Sequence, residues 1–176
     1  GGVLWFGNDD ANMVAFTPIY CSSTVRPECY NTPGADAVTF SDKNAYWVCN
    51  MVSNMVYPRY NQLFPSVKEV RDSLDNSYFA AQKQVEDKAL ELYAENPQQA
   101  VKYLNDYGVE KAQQMLGCWK QLHTYLVVKY NDMIIKPTTK NGTFERTKEG
   151  LGVRPVRPGY PEKYARELIK QTGDKF

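Results

Sequence analysis

Apolar residues follow two different spacings along this chain. Near its start they come in short unbroken runs, Val3-Leu4-Trp5-Phe6 and Met13 to Tyr20. Such runs predict strands over Val3–Gly7 and Met13–Tyr20, and Asn8-Asp9-Asp10-Ala11-Asn12 between them supplies turn-tolerant residues, so the unit reads as a β-hairpin. Both strands carry apolar residues on both faces, which predicts that helices or a second sheet cover them on both sides. The hairpin starts almost at Gly1, with no initiator Met and no leader, and over a hundred mostly helical residues follow. That order reads as the closing part of a larger sheet protein.

From residue 41 the apolar positions recur every three or four residues. Ser41 or Asp42 is the expected cap of a helix whose apolar face is Ala45, Val48, Cys49, Val52, Met55 and Val56, and Pro58 ends or kinks it. Ser66 and Glu69 have capping-box spacing, which predicts a helix over 66–95 with Val67, Val70, Leu74, Tyr78, Ala81, Val85, Ala89 and Leu92 as its stripe. Asn96 and Pro97 read as cap and first turn of the next helix, with Gly108 as an interruption. A helix over 109–130 then places Ala112, Met115, Trp119, Leu122, Leu126 and Tyr130 on one face. Cys21 to Thr39, broken by Pro27, Pro33 and Gly34, is read as loop. From Asn131 the chain is an extended tail with one short helix at about 161–171. The predicted class is α+β: hairpin and loop over 1–40, a helical region over 41–131 ending in a long helical hairpin, and the tail over 132–176.

Charge is nearly balanced over 176 residues, at net +1, which argues against bulk capture of nucleic acid or an acidic membrane. No apolar run approaches the roughly 20 residues of a membrane helix. The tail from Met133 onward is basic, with ten Lys and Arg against five Asp and Glu. It is too broken by prolines and acids for a nucleic-acid arm, and reads as a strap. Cys21, Cys29, Cys49 and Cys118 include no C-x-x-C pair. Cys21 and Cys29 could form a disulfide in an oxidising compartment, although free thiols are the preferred reading, and Cys49 and Cys118 read as core. The sole histidine, His123, lies five residues from Cys118 on one helix, a separation that turns the two side chains apart, so no local dyad follows. Trp5, Phe6, Tyr20, Trp47 and Trp119 are core residues or the lining of a pocket. Asn141-Gly142-Thr143 fits a glycosylation triplet, a pattern common by chance.

Several segments taken together resemble the C-terminal part of the N-terminal-nucleophile (Ntn) cysteine dipeptidases, bacterial relatives of the penicillin V acylases. They are Val3 to Asp10, Phe16 to Cys21, Ala45 to Asn50 with Val52-Ser53-Asn54, Tyr57-Pro58-Arg59-Tyr60, and Arg157 to Pro161 with Thr172-Gly173-Asp174. Their order and spacing carry the likeness. The resemblance implies an αββα sandwich and hydrolysis of dipeptides without metal or other cofactor. It implies a nucleophilic cysteine that becomes residue one after self-processing, with its own α-amino group as base. No cysteine here holds that place, so the nucleophile would lie on a missing N-terminal portion of the same protein, and this chain alone is expected to be inactive.

A dipeptide is a zwitterion. By charge and position, Asp9 or Asp10 would take its ammonium group, and Arg26, Arg154 or Arg157 its carboxylate. The bland alternative for Asp9 and Asp10 is turn chemistry. The expected partners are the dipeptide and the missing portion, with neither nucleic acid nor membrane, and a homo-oligomer is left open. Cellular location is also open, a periplasmic or secreted protein being favoured over a cytoplasmic one. The competing function is a non-catalytic helical interaction module, with the hairpin as an edge for an added strand.

Overall fold

The computed structural model describes residues 2–31 and 36–173. Gly1, Pro33, Gly34 and Asp174, which enter the expectations above, lie outside the described residues. The protein is α+β and mostly helical, with two strands, β1 (Val3–Phe6) and β2 (Thr17–Tyr20). Four helices follow: α1 (Ala45–Val56), α2 (Tyr60–Glu95), α3 (Pro97–Tyr130) and α4 (Glu162–Thr172). The chain divides into two compact units, residues 1–126 and 127–176. No helix among the described residues is long and apolar enough to cross a membrane.

In the first unit β1 and β2 pair antiparallel, Val3 opposite Tyr20 and Phe6 opposite Thr17. The hairpin is looser than predicted. Met13 to Phe16 is not strand, yet Met13, Val14 and Ala15 are fully buried. Side-chain alternation puts Val3, Trp5, Pro18 and Tyr20 on one face. Helices cover this face. Trp5 meets Phe79 of α2 edge-to-face at 4.5 Å. Gly108 of α3 lies so close to Pro18 that a Cβ there would stand 3.0 Å from the Pro18 carbonyl oxygen. The opposite face is covered at one end only. Tyr30 packs on Phe6 at 4.8 Å and meets the Thr17 hydroxyl at 2.7 Å, whereas Leu4 remains 56% exposed. Covering on both sides, as expected from the sequence, is therefore found on one face. No third strand joins the sheet among the described residues.

The helices form where the apolar stripes run, with shifted starts. Asn44 rather than Ser41 or Asp42 caps α1, its side chain accepting from the Tyr46 amide at 2.9 Å. A 3-10 turn over Tyr57–Arg59, containing Pro58, separates α1 from α2. Helix α2 begins at Tyr60, not Ser66, so the capping-box reading fails. Its first turn is held by stacking of Tyr60 on Phe64 at 4.6 Å, and the helix runs on through Pro65. Asn96 caps α3 as predicted, accepting from the Gln98 amide at 3.0 Å. Helix α3 passes straight through Gly108, because that glycine serves close packing on β2 rather than termination. The Tyr78 hydroxyl of α2 donates to the Lys111 carbonyl at 3.3 Å, joining the long helices as a hairpin. The core of this unit is Met13, Val14, Val48, Val52, Leu63, Val67, Tyr78, Met115, Trp119 and Leu126.

The second unit is built from turns. Antiparallel bridges join Ile135 to Val156, Thr138 to Phe144 and Arg146 to Gly152. The turns between them use Gly142 and Gly150 at φ +77° and +83°. Helix α4 lies near the end, where the tail helix was predicted.

Candidate functional site

A cluster of polar side chains lies at the corner after β1. Asp9 adopts the left-handed conformation, at φ 72°, which a non-glycine residue takes at a cost. Two residues of α1 hold it there. Asn50 donates to Asp9 Oδ1 at 3.0 Å, and the Ser53 hydroxyl donates to Oδ2. Asp10 is held in a similar way. The Asn12 amide donates to its Oδ1 at 2.9 Å, an Asx turn, and the Tyr57 hydroxyl donates to its Oδ2. Asn50, Ser53 and Tyr57 repeat at three and four residues, so a polar stripe runs beside the apolar one on α1.

Helix α2 braces the same corner. The Asn12 side chain donates to the Tyr60 hydroxyl at 2.5 Å, and Arg71 Nη1 donates to the Asn12 carbonyl at 2.6 Å. Asp75 accepts from the Phe16 amide at 2.9 Å, and Trp119 of α3 donates to the Met13 carbonyl at 3.2 Å. Burial pushes the Asp75 carboxyl above its usual range. Its hydrogen bond to Asp10 raises the Tyr57 phenol, and Asp10's charge adds to this.

Asp9 and Asp10 thus occupy one corner with every carboxylate oxygen already accepting a bond. Each oxygen keeps a further lone-pair direction, to which an ammonium group could add. Arg26, in the same unit, is exposed and donates through Nε to Asn31 Oδ1 at 2.6 Å. Arg154 and Arg157 are exposed residues of the second unit. The sequence reading missed Asn50, Ser53, Tyr57, Tyr60 and Arg71. Their helical spacing was visible, but only the fold brings it against the residues after β1.

The cysteines are free thiols. Cys29 and Cys49 are buried, and burial pushes them up to about 11 and about 12, with the Asp9 charge adding to the effect at Cys49. A thiol at 11 is ionised in only about one molecule in ten thousand at pH 7. Burial also raises Cys118 and lowers His123. Cys49 is core, as its apolar helical setting predicted, whereas Cys118, expected in the core as well, and His123 are only half-buried, and the buried thiols are poor nucleophiles. Cys21 is exposed just after β2. Among the described residues no group of three or more His, Cys, Asp or Glu side chains is placed to hold a metal ion.

The sequence model of peptidase family C69 matches residues 1–73, and this stretch is similar to that family. The match takes in the sheet, α1, and the Asp9–Asp10 corner with Asn12, Asn50, Ser53, Tyr57, Tyr60 and Arg71. It stops short of Asp75 and Trp119. The tail segments at 157–161 and 172–174, which contributed to the resemblance seen in the sequence, lie outside it. No curated protein and no solved structure matches the chain.

Proposed function

We propose that this chain is the C-terminal portion of a cysteine-type dipeptidase whose nucleophile lies on polypeptide outside it. The single observation that carries this reading is the family C69 match, which supports a peptidase-family fragment. The small two-stranded sheet and the exposed Leu4 fit it, since further strands of an αββα sandwich would extend the one and cover the other. The raised, buried Cys29 and Cys49 fit it too, because the chemistry then needs a cysteine from elsewhere.

In the complete enzyme an N-terminal cysteine thiolate attacks the dipeptide carbonyl, with its own α-amino group as base. The C-terminal amino acid leaves with the proton, and water then hydrolyses the acyl-enzyme. The contribution of the present residues is positioning. The Asp9–Asp10 corner offers carboxylate lone pairs for the substrate ammonium group, and Arg26, in the same unit, offers a guanidinium for its carboxylate.

The test is expression of the chain together with its upstream coding region. Hydrolysis of a simple dipeptide by the longer product, blocked by iodoacetamide and absent from the 176-residue chain alone, is the expected result. Activity of the short chain overturns the reading; an upstream region without a cysteine exposed by processing overturns it too, and favours a helical interaction module. Alanine at Asp10 in the complete enzyme should raise KM for dipeptides, and an unchanged KM removes that residue from the site.

A further inference from the structure

The end of the helical hairpin next to Asn96 holds a cavity of about 390 Å³, lined by none of the residues of the Asp9–Asp10 corner. It lies among the end of β2, the last turns of α2 and the first turns of α3. Tyr20, Glu86, Leu90, Tyr93, Val101 and Leu104 supply most of its character. The volume falls within the roughly 300–1,000 Å³ of small-molecule pockets.

Three features of the wall bear on what would occupy it. The first is the phenol of Tyr20. This residue is only 7% exposed and its hydroxyl has no hydrogen-bond partner, an arrangement that ordinarily costs free energy. Burial first, then the charge of Glu86, pushes the phenol up to about 12, so it stays a neutral hydroxyl across the physiological range. The second is Glu86. Its Oε1 accepts from Gln82 at 2.8 Å, while Oε2 has no donor among the described residues. The third is the rim, where Leu90 and Tyr93 are 69% and 59% exposed. An apolar body would cover both. A neutral apolar ligand would leave the carboxylate without a counter-charge, and an anionic ligand would be repelled by it.

We propose that this cavity binds a small organic cation of the arylalkylamine class. The ammonium group sits between the free oxygen of Glu86 and the hydroxyl of Tyr20, and the aromatic body lies against Leu90, Val101 and Leu104. The site is separate from the dipeptidase reading and does not rest on it.

The test is titration of the full 176-residue chain, followed by amide chemical shifts, with 2-phenylethylamine as probe. 2-Phenylethanol and 3-phenylpropionate share its aromatic body. The amine should give saturable shifts confined to residues 86–93 and 100–104 and the end of β2. The alcohol should bind at least about tenfold more weakly, the value of one charge-assisted hydrogen bond, and the carboxylate should not bind. Glu86→Gln should bring the amine down to the level of the alcohol. Val101→Trp, which fills the cavity, should abolish binding of both. Unchanged far-ultraviolet circular dichroism of the two variants excludes unfolding as the cause. Equal binding of amine and alcohol, or an amine affinity that survives Glu86→Gln, overturns the proposal.

Discussion

Residues 2–126 and residues 127–173 hold their backbones by different means. In the first unit the long helices and the strand pair enclose a continuous set of buried side chains, with Trp119, Tyr78 and Met13 among the largest. Polar residues there act as staples between distant segments: Ser53 to Asp9, Arg71 to Asn12, Asp75 to Phe16. In the second unit only Tyr130 and Ile134 are buried among the described residues. Its order comes from main-chain pairs such as the reciprocal bonds of Ile135 and Val156 at 2.8 Å, and from glycines in left-handed turns. Exposed backbone hydrogen bonds with little apolar burial open at low cost, whereas a shared core opens cooperatively. The first unit is therefore expected to behave as one cooperative block and the second to exchange and be cleaved first. All three tryptophans, at 5, 47 and 119, fall in the first unit, so their fluorescence reports on that unit alone.

The largest effect belongs to Trp119→Ala. Its ring is fully buried and its indole N–H satisfies the Met13 carbonyl, so the change leaves both a cavity and an unpaired acceptor. The expected loss is about 3–5 kcal/mol in urea unfolding, followed through Trp5 and Trp47. Amide exchange at Ile135 and Val156 should not change. If protection there falls in step with the first unit, the two regions form one cooperative system and the contrast is broken.

Asp9→Ala comes next. It removes the acceptor of Asn50 and Ser53 and places alanine at φ 72°. A cost of about 2–3 kcal/mol is expected from the lost charged acceptor and the left-handed strain. Asp9→Asn should cost less, since asparagine tolerates that conformation and can still accept. Equal losses for the two variants in urea unfolding would show that the charge alone matters at this corner.

Gly150→Ala sharpens the contrast from the other side. At φ +83° its added Cβ meets no neighbour, so the penalty is conformational, about 1–2 kcal/mol. Exchange of the Thr147 and Gly150 amides, bonded across this turn, should accelerate, with tryptophan fluorescence unfolding unchanged. A shift in that unfolding curve would count against separate behaviour.

How far the sequence was legible follows the same division of means. Apolar periodicity placed α1, most of α2 and the inner face of α3, because one stripe per helix suffices to bury it. It misplaced the start of α2, where the Tyr60–Phe64 stack and the bond from Asn12 override the signal at Ser66. It also misread Gly108, whose role depends on Pro18, ninety residues earlier in the chain. The strands were found, but the covering of their second face was not foreseen correctly, since apolar residues on both faces do not say which partner meets them. At the candidate corner Asp9 and Asp10 stood out as an acidic pair in a turn. The residues that hold them are spread from position 12 to 71 and become a cluster only in the folded chain.

The smallest predicted effect is a pH dependence confined to the first unit. Burial lowers the His123 pKa from its usual 6.5, so the native state prefers the neutral ring while the unfolded chain protonates normally. Above 6.5 both states carry neutral imidazole and the group contributes no slope. As pH falls below that value the unfolded state binds the proton first, and stability declines until the depressed native value is passed. Asp75, raised by burial, has the opposite sense: its native carboxyl favours the proton, so it costs stability as pH rises through its own range, which lies above the usual 3.8. His123→Gln should therefore flatten the slope of urea-unfolding stability just below pH 6.5 and leave it unaltered near pH 8. The flattening should be visible in tryptophan fluorescence and absent from exchange at Ile135 and Val156. A slope that persists in the variant assigns the dependence to another group of the first unit.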